Sequence, residues 1–358
     1  MSTHISLNYV RLEGRFSRFK IYRTGFMLFL CLIFFSGLSN FTLAASKFTK
    51  SNTNIKKTTK KTHPKIKKKS LIKPSKTKRV KPVSSGVQAK AVYCINVANN
   101  ETLVAKNADE RLPIASLTKL VTALVTLDNM PLDKEITIPE HIKKVPKSIV
   151  GLKPGDILTV QDLLHGMLIS SGNDCAESLA CAFPGGKDKF IDALNKKAHS
   201  LGATKTEFFT PSGLDKKIGD NCLPDKEKEV EANLSTAREI AAIAKIAFSN
   251  KTIRSICLKK SYVLASKLVP KGYPVKSTNK LLRDHLPVVG GKTGFTVRAG
   301  HCLASEFSPG KDLFIIVVLG SPNHFKDTRL LYRMVLKQAN GTTPKNASKD
   351  NHSQIAAK

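Results

Sequence analysis

The chain has 358 residues, 41% of them hydrophobic, enough to fill the core of one large domain or two ordinary ones and to exclude a wholly disordered polymer. Its formal charge of +32 is extreme but uneven: Lys47 to Lys81 holds fifteen Lys and Arg residues and no Asp or Glu, leaving +17 for the rest. Its seven cysteines show no C-x-x-C spacing, which excludes the common zinc-ribbon and redox patterns, so neither a metal site nor a cofactor is predicted.

In chain order, Arg11, Arg15, Arg18, Lys20 and Arg23 precede an apolar run from Gly25 to Leu38, and the small residues Ala44, Ala45 and Ser46 follow. That is the layout of a secretory signal, and an apolar run this short falls below the ~20 residues of a membrane-spanning helix. Residues 1–45 are read as a signal peptide or an N-terminal anchor, and the chain as exported. Residues 46–85 mix Lys with Ser, Thr and Pro and lack apolar periodicity, the composition of an unfolded, self-repelling linker. The run is either a plain solvated spacer or, through residues 47–81, a tether to an anionic membrane surface. No nucleic acid is expected, since an exported chain seldom meets it.

Ordered sequence begins near Gln88, where AVYCINV and ETLVAKN flank Ala98-Asn99-Asn100 and read as two strands around a tight turn. From Ser116 the stretch SLTKLVTALVTLDNM carries apolar residues at helical spacing, which puts Ser116 and Lys119 on one helical face. Further helices are predicted at Val160 to Ile169, Asp174 to Phe183, Lys187 to Leu201, Ser235 to Ala247 and Asn323 to Gln338. Strands are predicted at Ser261 to Val269, Pro287 to Lys292, Ala299 to Glu306 and Leu313 to Leu319. Strands at both ends around a helical block define an α+β fold, an antiparallel sheet flanked by helices with an all-helical subdomain. Residues 86–340 form the expected catalytic domain, and 341–358 a polar, disordered tail.

An S-x-x-K match says little in a Lys-rich chain, which also shows it at Ser17, Ser70, Ser75, Ser277 and Ser308. Context selects Ser116, which alone opens an apolar-periodic helix and is followed in order by Ser171-Gly172-Asn173 and Lys292-Thr293-Gly294. The S-x-N matches at Ser277 and Ser321 sit in Lys- or Pro-containing loops.

With these motifs, residues 86–340 resemble the low-molecular-mass penicillin-binding proteins, specifically the D-alanyl-D-alanine carboxypeptidases. The likeness extends to Arg111-Leu112-Pro113-Ile114-Ala115, Gly151-Leu152-Lys153-Pro154-Gly155-Asp156, Phe209-Thr210-Pro211-Ser212-Gly213-Leu214 and Gly291 to Thr296. It implies a β-lactamase/transpeptidase-like fold, peptidoglycan stem peptides as substrate, β-lactams as covalent inhibitors, and a place in the periplasm or on the outer face of the cytoplasmic membrane. Because the sequence stops soon after the expected last helix, the C-terminal β domain and amphipathic anchor common in relatives are not expected here.

The residues fit that chemistry. A Ser hydroxyl needs a base, and a Lys one turn away can serve only when neutral, so the Lys must be buried or placed beside a second cation. Lys119 is the expected base toward Ser116, Lys292 the second cation, Ser171 a proton relay and Asn173 an orienting amide. Lys292 and Thr293 would hold the substrate carboxylate, and Gly294 would let substrate lie against the strand edge. The oxyanion would sit between the backbone N–H groups of Ser116 and, by the resemblance, Phe295. Relatives use an Arg for the carboxylate as well, a role for which Arg298 and Arg329 compete. His165 and His301 are read as packing residues, and Asp162, Asp174 and Glu177 as helix-terminus charges. Two other readings stand beside hydrolysis of the last D-alanine: a β-lactamase, which would need a carboxylate-activated water, and a wall-binding protein without turnover.

Overall fold

A computed structural model of the chain describes residues 86–146, 148–218 and 229–341. The predicted signal or anchor, the basic linker and the polar tail after Gly341 lie outside the described residues.

Five strands build the main sheet: β1 (Ala91–Asn96), β2 (Thr102–Lys106), β3 (Val288–Thr296), β4 (Gly300–Phe307) and β5 (Phe314–Ser321). Their order across the sheet is β3-β4-β5-β1-β2, and every neighbouring pair is antiparallel. The N-terminal hairpin therefore closes on the C-terminal strands, with Ala91 opposite Leu319 and Asn96 opposite Phe314. β5, whose FIIVVL run is fully buried, sits at the centre with an element on each face, as a continuous apolar strand requires.

Among the described residues seven α-helices accompany the sheet: α1 (Lys119–Asn129), α2 (Val160–Ile169), α3 (Asn173–Cys181), α4 (Gly186–Ser200), α5 (Ala237–Ser249), α6 (Lys251–Cys257) and α7 (His324–Gly341). The period of two in the strands sorts the core into two layers. Val92, Cys94, Ile316 and Val318 face Leu331 and Val335 of α7. Tyr93, Ile95, Ile315 and Val317 face the opposite way, into a core that continues through Ile240 and Ala244 of α5 into the helical block of α1 to α4. Thr159 and Thr236 start α2 and α5 by accepting the backbone N–H groups of Asp162 and Glu239, each at 3.1 Å.

The α+β class and the order of elements agree with the sequence reading, with three differences. The expected strand at Ser261 to Val269 is a hairpin, Ser261–Leu264 paired with Tyr273–Lys276, because the Pro270-Lys271-Gly272 turn reverses the chain. β3 runs on to Thr296 instead of stopping at Lys292, so the K-T-G residues lie inside a strand. Ser116 belongs to a 3-10 turn, Ala115–Thr118, and the α-helix proper begins at Lys119. The five cysteines among the described residues are free thiols.

Candidate active site

The two motifs nearest the chain's ends meet because β3 lies against the turn that carries Ser116. Gly294 makes this approach possible: a Cβ there would stand 3.0 Å from Ser116 N and 3.1 Å from Ile114 O. Gly213 is more constrained, with φ +84° and a would-be Cβ 1.9 Å from Ala115 O, so no side chain fits. The turn is itself strained. Ala115 has φ 47° and Ser171 has φ 63°, left-handed values that cost a non-glycine residue about 1–2 kcal/mol and that persist where packing over-determines them.

Lys119 is fully buried, and its Nζ reaches Ser116 Oγ at 2.8 Å, Asn173 Oδ1 at 2.8 Å and the Ser212 carbonyl at 2.7 Å. Among the described residues it has no carboxylate partner. Burial first, and the charge of Lys292 second, push its pKa well below the ordinary lysine range, while Cys175 and Asp174 oppose this. Lys292 is also buried, with its Nζ donating to Ser171 Oγ at 2.8 Å and to the Thr293 carbonyl at 2.7 Å. Burial pushes its pKa down to about 7. Asn173 is the first residue of α3, but its side chain caps nothing: Oδ1 accepts a hydrogen bond from Lys119 Nζ and Nδ2 donates to Pro146 O at 3.1 Å.

Lys119 and Lys292 lie just beneath the wall of a cleft of about 630 Å³, the size of a small-peptide or drug site. Ser116, Ser171, Asn173, Thr293, Gly294 and Phe295 all border it. Arg298 and Arg329 do not. Arg298 lies exposed in the β3–β4 turn, where its charge counters the burial that raises the Asp215 carboxyl. Arg329, on α7, binds the Asp284 carboxylate through Nε and Nη2, both at 2.8 Å. No Asp or Glu borders the cleft among the described residues.

Sequence reasoning missed several neighbours. The Ser212 carbonyl is a backbone group, invisible to a motif search. Ser277-Thr278-Asn279, set aside as a loop match, sits behind the K-T-G strand: Thr278 and Thr293 hydroxyls are 2.6 Å apart, and Gly291 leaves space that its own Cβ would contest with Asn279 Nδ2 at 2.5 Å. One wall is aromatic, with His301 between Phe295 at 4.5 Å and His324 at 4.9 Å, and Phe325 beyond. Both ring nitrogens of His324 are buried without a hydrogen-bond partner, and burial, His301 and Lys280 push its pKa down to about 4, so the ring is neutral. His165 packs as expected, stacked on Tyr262 at 3.9 Å.

A helix-flanked antiparallel sheet with a buried Ser–Lys pair beside an edge-strand K-T-G defines a class, the serine enzymes of the DD-peptidase and penicillin-binding fold. The crystal structure of the Streptomyces K15 DD-transpeptidase superposes with a TM-score of 0.63 at 29% identity, covering 72% of this chain and all of that one. A Mycobacterium tuberculosis D-alanyl-D-alanine carboxypeptidase gives 0.63 at 25% identity over 75% of this chain and 96% of its own. By sequence, the Bacillus subtilis D-alanyl-D-alanine carboxypeptidase DacF is 30% identical over 239 residues, 65% of this chain and 58% of that protein. An Escherichia coli D-alanyl-D-alanine endopeptidase is 32% identical over 250 residues, 66% and 74% of the two chains. Residues 76–323 match the D-alanyl-D-alanine carboxypeptidase family of peptidases, S11. The chain belongs to that family of serine-type hydrolases.

Proposed function

We propose that the protein removes the terminal D-alanine from peptidoglycan stem pentapeptides through an acyl-enzyme on Ser116, and that β-lactams acylate the same hydroxyl. One observation carries the reading: a fully buried lysine amine 2.8 Å from a serine hydroxyl, with no carboxylate among the described residues to hold its proton. Neutral Lys119 takes the Ser116 proton as Oγ attacks the carbonyl carbon of the penultimate D-alanine. The oxyanion forms beside the backbone N–H groups of Ser116 and Phe295. On collapse the C–N bond breaks, the departing amine takes a proton relayed through Ser171, and D-alanine leaves. Water then attacks the ester and gives a proton to Lys119, which passes it to Ser116 Oγ as the ester C–O bond breaks, freeing the shortened peptide. Asn173 orients Lys119 throughout. Lys292 and Thr293 bind the terminal carboxylate, and Gly294 admits the peptide to the strand edge.

The absence of any carboxylate from the cleft lining among the described residues favours slow deacylation over β-lactamase turnover. Relatives named endopeptidase and transpeptidase share this acyl-enzyme chemistry, and which nucleophile resolves the ester separates those outcomes from hydrolysis. Residues 1–45 would deliver the chain across the membrane to the periplasm or outer membrane face, and residues 47–81 would hold it near anionic lipid.

The purified protein should be labelled covalently by a fluorescent penicillin and release free D-alanine from a pentapeptide, while Ser116→Ala does neither. Labelling that persists in Ser116→Ala would show that another residue is the nucleophile.

A further inference from the structure

Away from the cleft, the 3-10 turn Glu140–Lys144 lies against the C-terminal half of α3, and three side chains of different chemistry converge there. His141 Nε2 is 3.5 Å from Cys181 Sγ and 3.8 Å from Glu177 Oε1, and the three ligand atoms lie within 4.8 Å of one another. Glu177 and Cys181 are one helical turn apart and share a face of α3. Glu177 is buried, Cys181 half-buried and His141 exposed, so the group is both preformed and open to solvent. Zinc binds nitrogen and oxygen at about 2.0–2.2 Å and sulfur at about 2.3 Å, which in a tetrahedron separates neighbouring ligand atoms by about 3.4–3.6 Å. The two spacings from His141 come within a few tenths of an ångström of that, and a small side-chain rotation brings the third pair, within 4.8 Å, to the same separation.

The geometry points to a site for a zinc-like divalent cation on His141, Glu177 and Cys181, with a fourth position open to water, that clamps the 140–144 turn to α3. Borderline-soft cations suit a set of one imidazole, one thiolate and one carboxylate, whereas calcium and magnesium require oxygen. The oxygen that would take the ion already attracts a cation, because the Lys187 ammonium pairs with Glu177 Oε1. Lys187 is 43% exposed and can turn to solvent when a doubly charged ion replaces it. Cys181 must lose its proton to bind. Binding therefore releases a proton.

The clamp has a route to the cleft. At the other end of α3, Asn173 N–H donates to Ser148 O at 2.8 Å, and the Asp174 carboxylate accepts the N–H groups of Val150, Gly151 and Leu152. Ser148 and Ile149 border the cleft. A cation would fix the turn that leads into this wall, adding a second anchor to the one Asn173 and Asp174 supply.

The test uses the full chain titrated with Co(II), and with Zn(II) as competitor. One Co(II) should bind per chain with a thiolate charge-transfer band and tetrahedral ligand-field bands, and Zn(II) should displace it. Cys181→Ser should remove the charge-transfer band, and His141→Ala should weaken binding at least tenfold. Lys187→Met, which removes the competing cation, should tighten binding several-fold. A charge-transfer band that survives Cys181→Ser would place the thiol elsewhere, and Lys187→Met binding no tighter than the parent would refute the shared oxygen; either result overturns the site. Penicillin labelling of Ser116 should persist in all three variants, which keeps failure of this site separate from failure of the acyl-enzyme reading.

Discussion

Asn173→Asp tests whether Lys119 acts as a neutral base. The substitution changes shape hardly at all and puts a carboxylate oxygen where Oδ1 now lies, 2.8 Å from Lys119 Nζ. At an effective dielectric near 20 the attraction across that gap is about 6 kcal/mol. Burying the new carboxylate opposes it, and so does the lost donor to Pro146 O. If a third survives, about 2 kcal/mol, the Lys119 pKa rises by about 1.5 units. At pH below both midpoints the neutral fraction then falls about 30-fold.

The rate of acylation by a penicillin, followed from acid to alkaline pH, reads this directly. The rising limb of the profile should move to higher pH by about 1.5 units or more, with activity recovering at alkaline pH. Asn173→Ala supplies the comparison, since it removes the same hydrogen bonds without adding charge and should lower the rate without that alkaline displacement. A limb that stays in place in Asn173→Asp, or a rate reduced equally at every pH, would mean that Lys119 does not deprotonate Ser116.

Two more predictions follow from the same geometry. The folded pKa of Lys292 lies at about 7, below the ordinary 10.5, so between those values the unfolded chain binds the extra proton and stability rises with pH. The destabilisation is complete below about pH 7 and is relieved toward 10.5. Lys292→Met should remove about 1.4 kcal/mol per pH unit from that slope in denaturant titrations and abolish penicillin labelling; an unchanged slope refutes the burial argument. Gly213→Ala should cost more than about 2 kcal/mol and slow acylation roughly 100-fold with secondary structure retained by circular dichroism, because its Cβ would displace either the Ala115 carbonyl or the Ser212 segment that holds Lys119. Acylation at the parental rate would show that this backbone contact does not position Ser116.

Most of the fold was legible because local pattern and tertiary structure agree. The apolar period of SLTKLVTALV gives α1, and the uninterrupted FIIVVL gives a strand buried on both faces. Errors fell where chain reversal or pairing overrode pattern: Pro270 to Gly272 split one apolar run into a hairpin, and pairing with β4 carried β3 through glycines that weaken a strand by themselves. The trio Ser116, Ser171–Asn173 and Lys292–Gly294 was legible because its residue types are written in the side chains. The Ser212 carbonyl, Thr278 and the His301–His324 wall were not, since each acts through a position in space that no spacing along the chain encodes.

Several features that cost folding free energy meet at the cleft. Two fully buried lysines without carboxylates, two left-handed non-glycine residues and an unpartnered buried histidine all lie within or against it. Each destabilises the folded state, whereas the buried carboxylate of Glu306 is paired with Arg254 at 2.7 Å and that of Asp174 accepts backbone N–H groups. Pairing Lys119 with a carboxylate would have relieved the burial of its charge and also removed the neutral amine. The stabilising choice and the reactive choice are therefore exclusive at this atom. The three neutral oxygens around Lys119 Nζ hold the side chain in place against Ser116 without supplying a charge that would keep its proton.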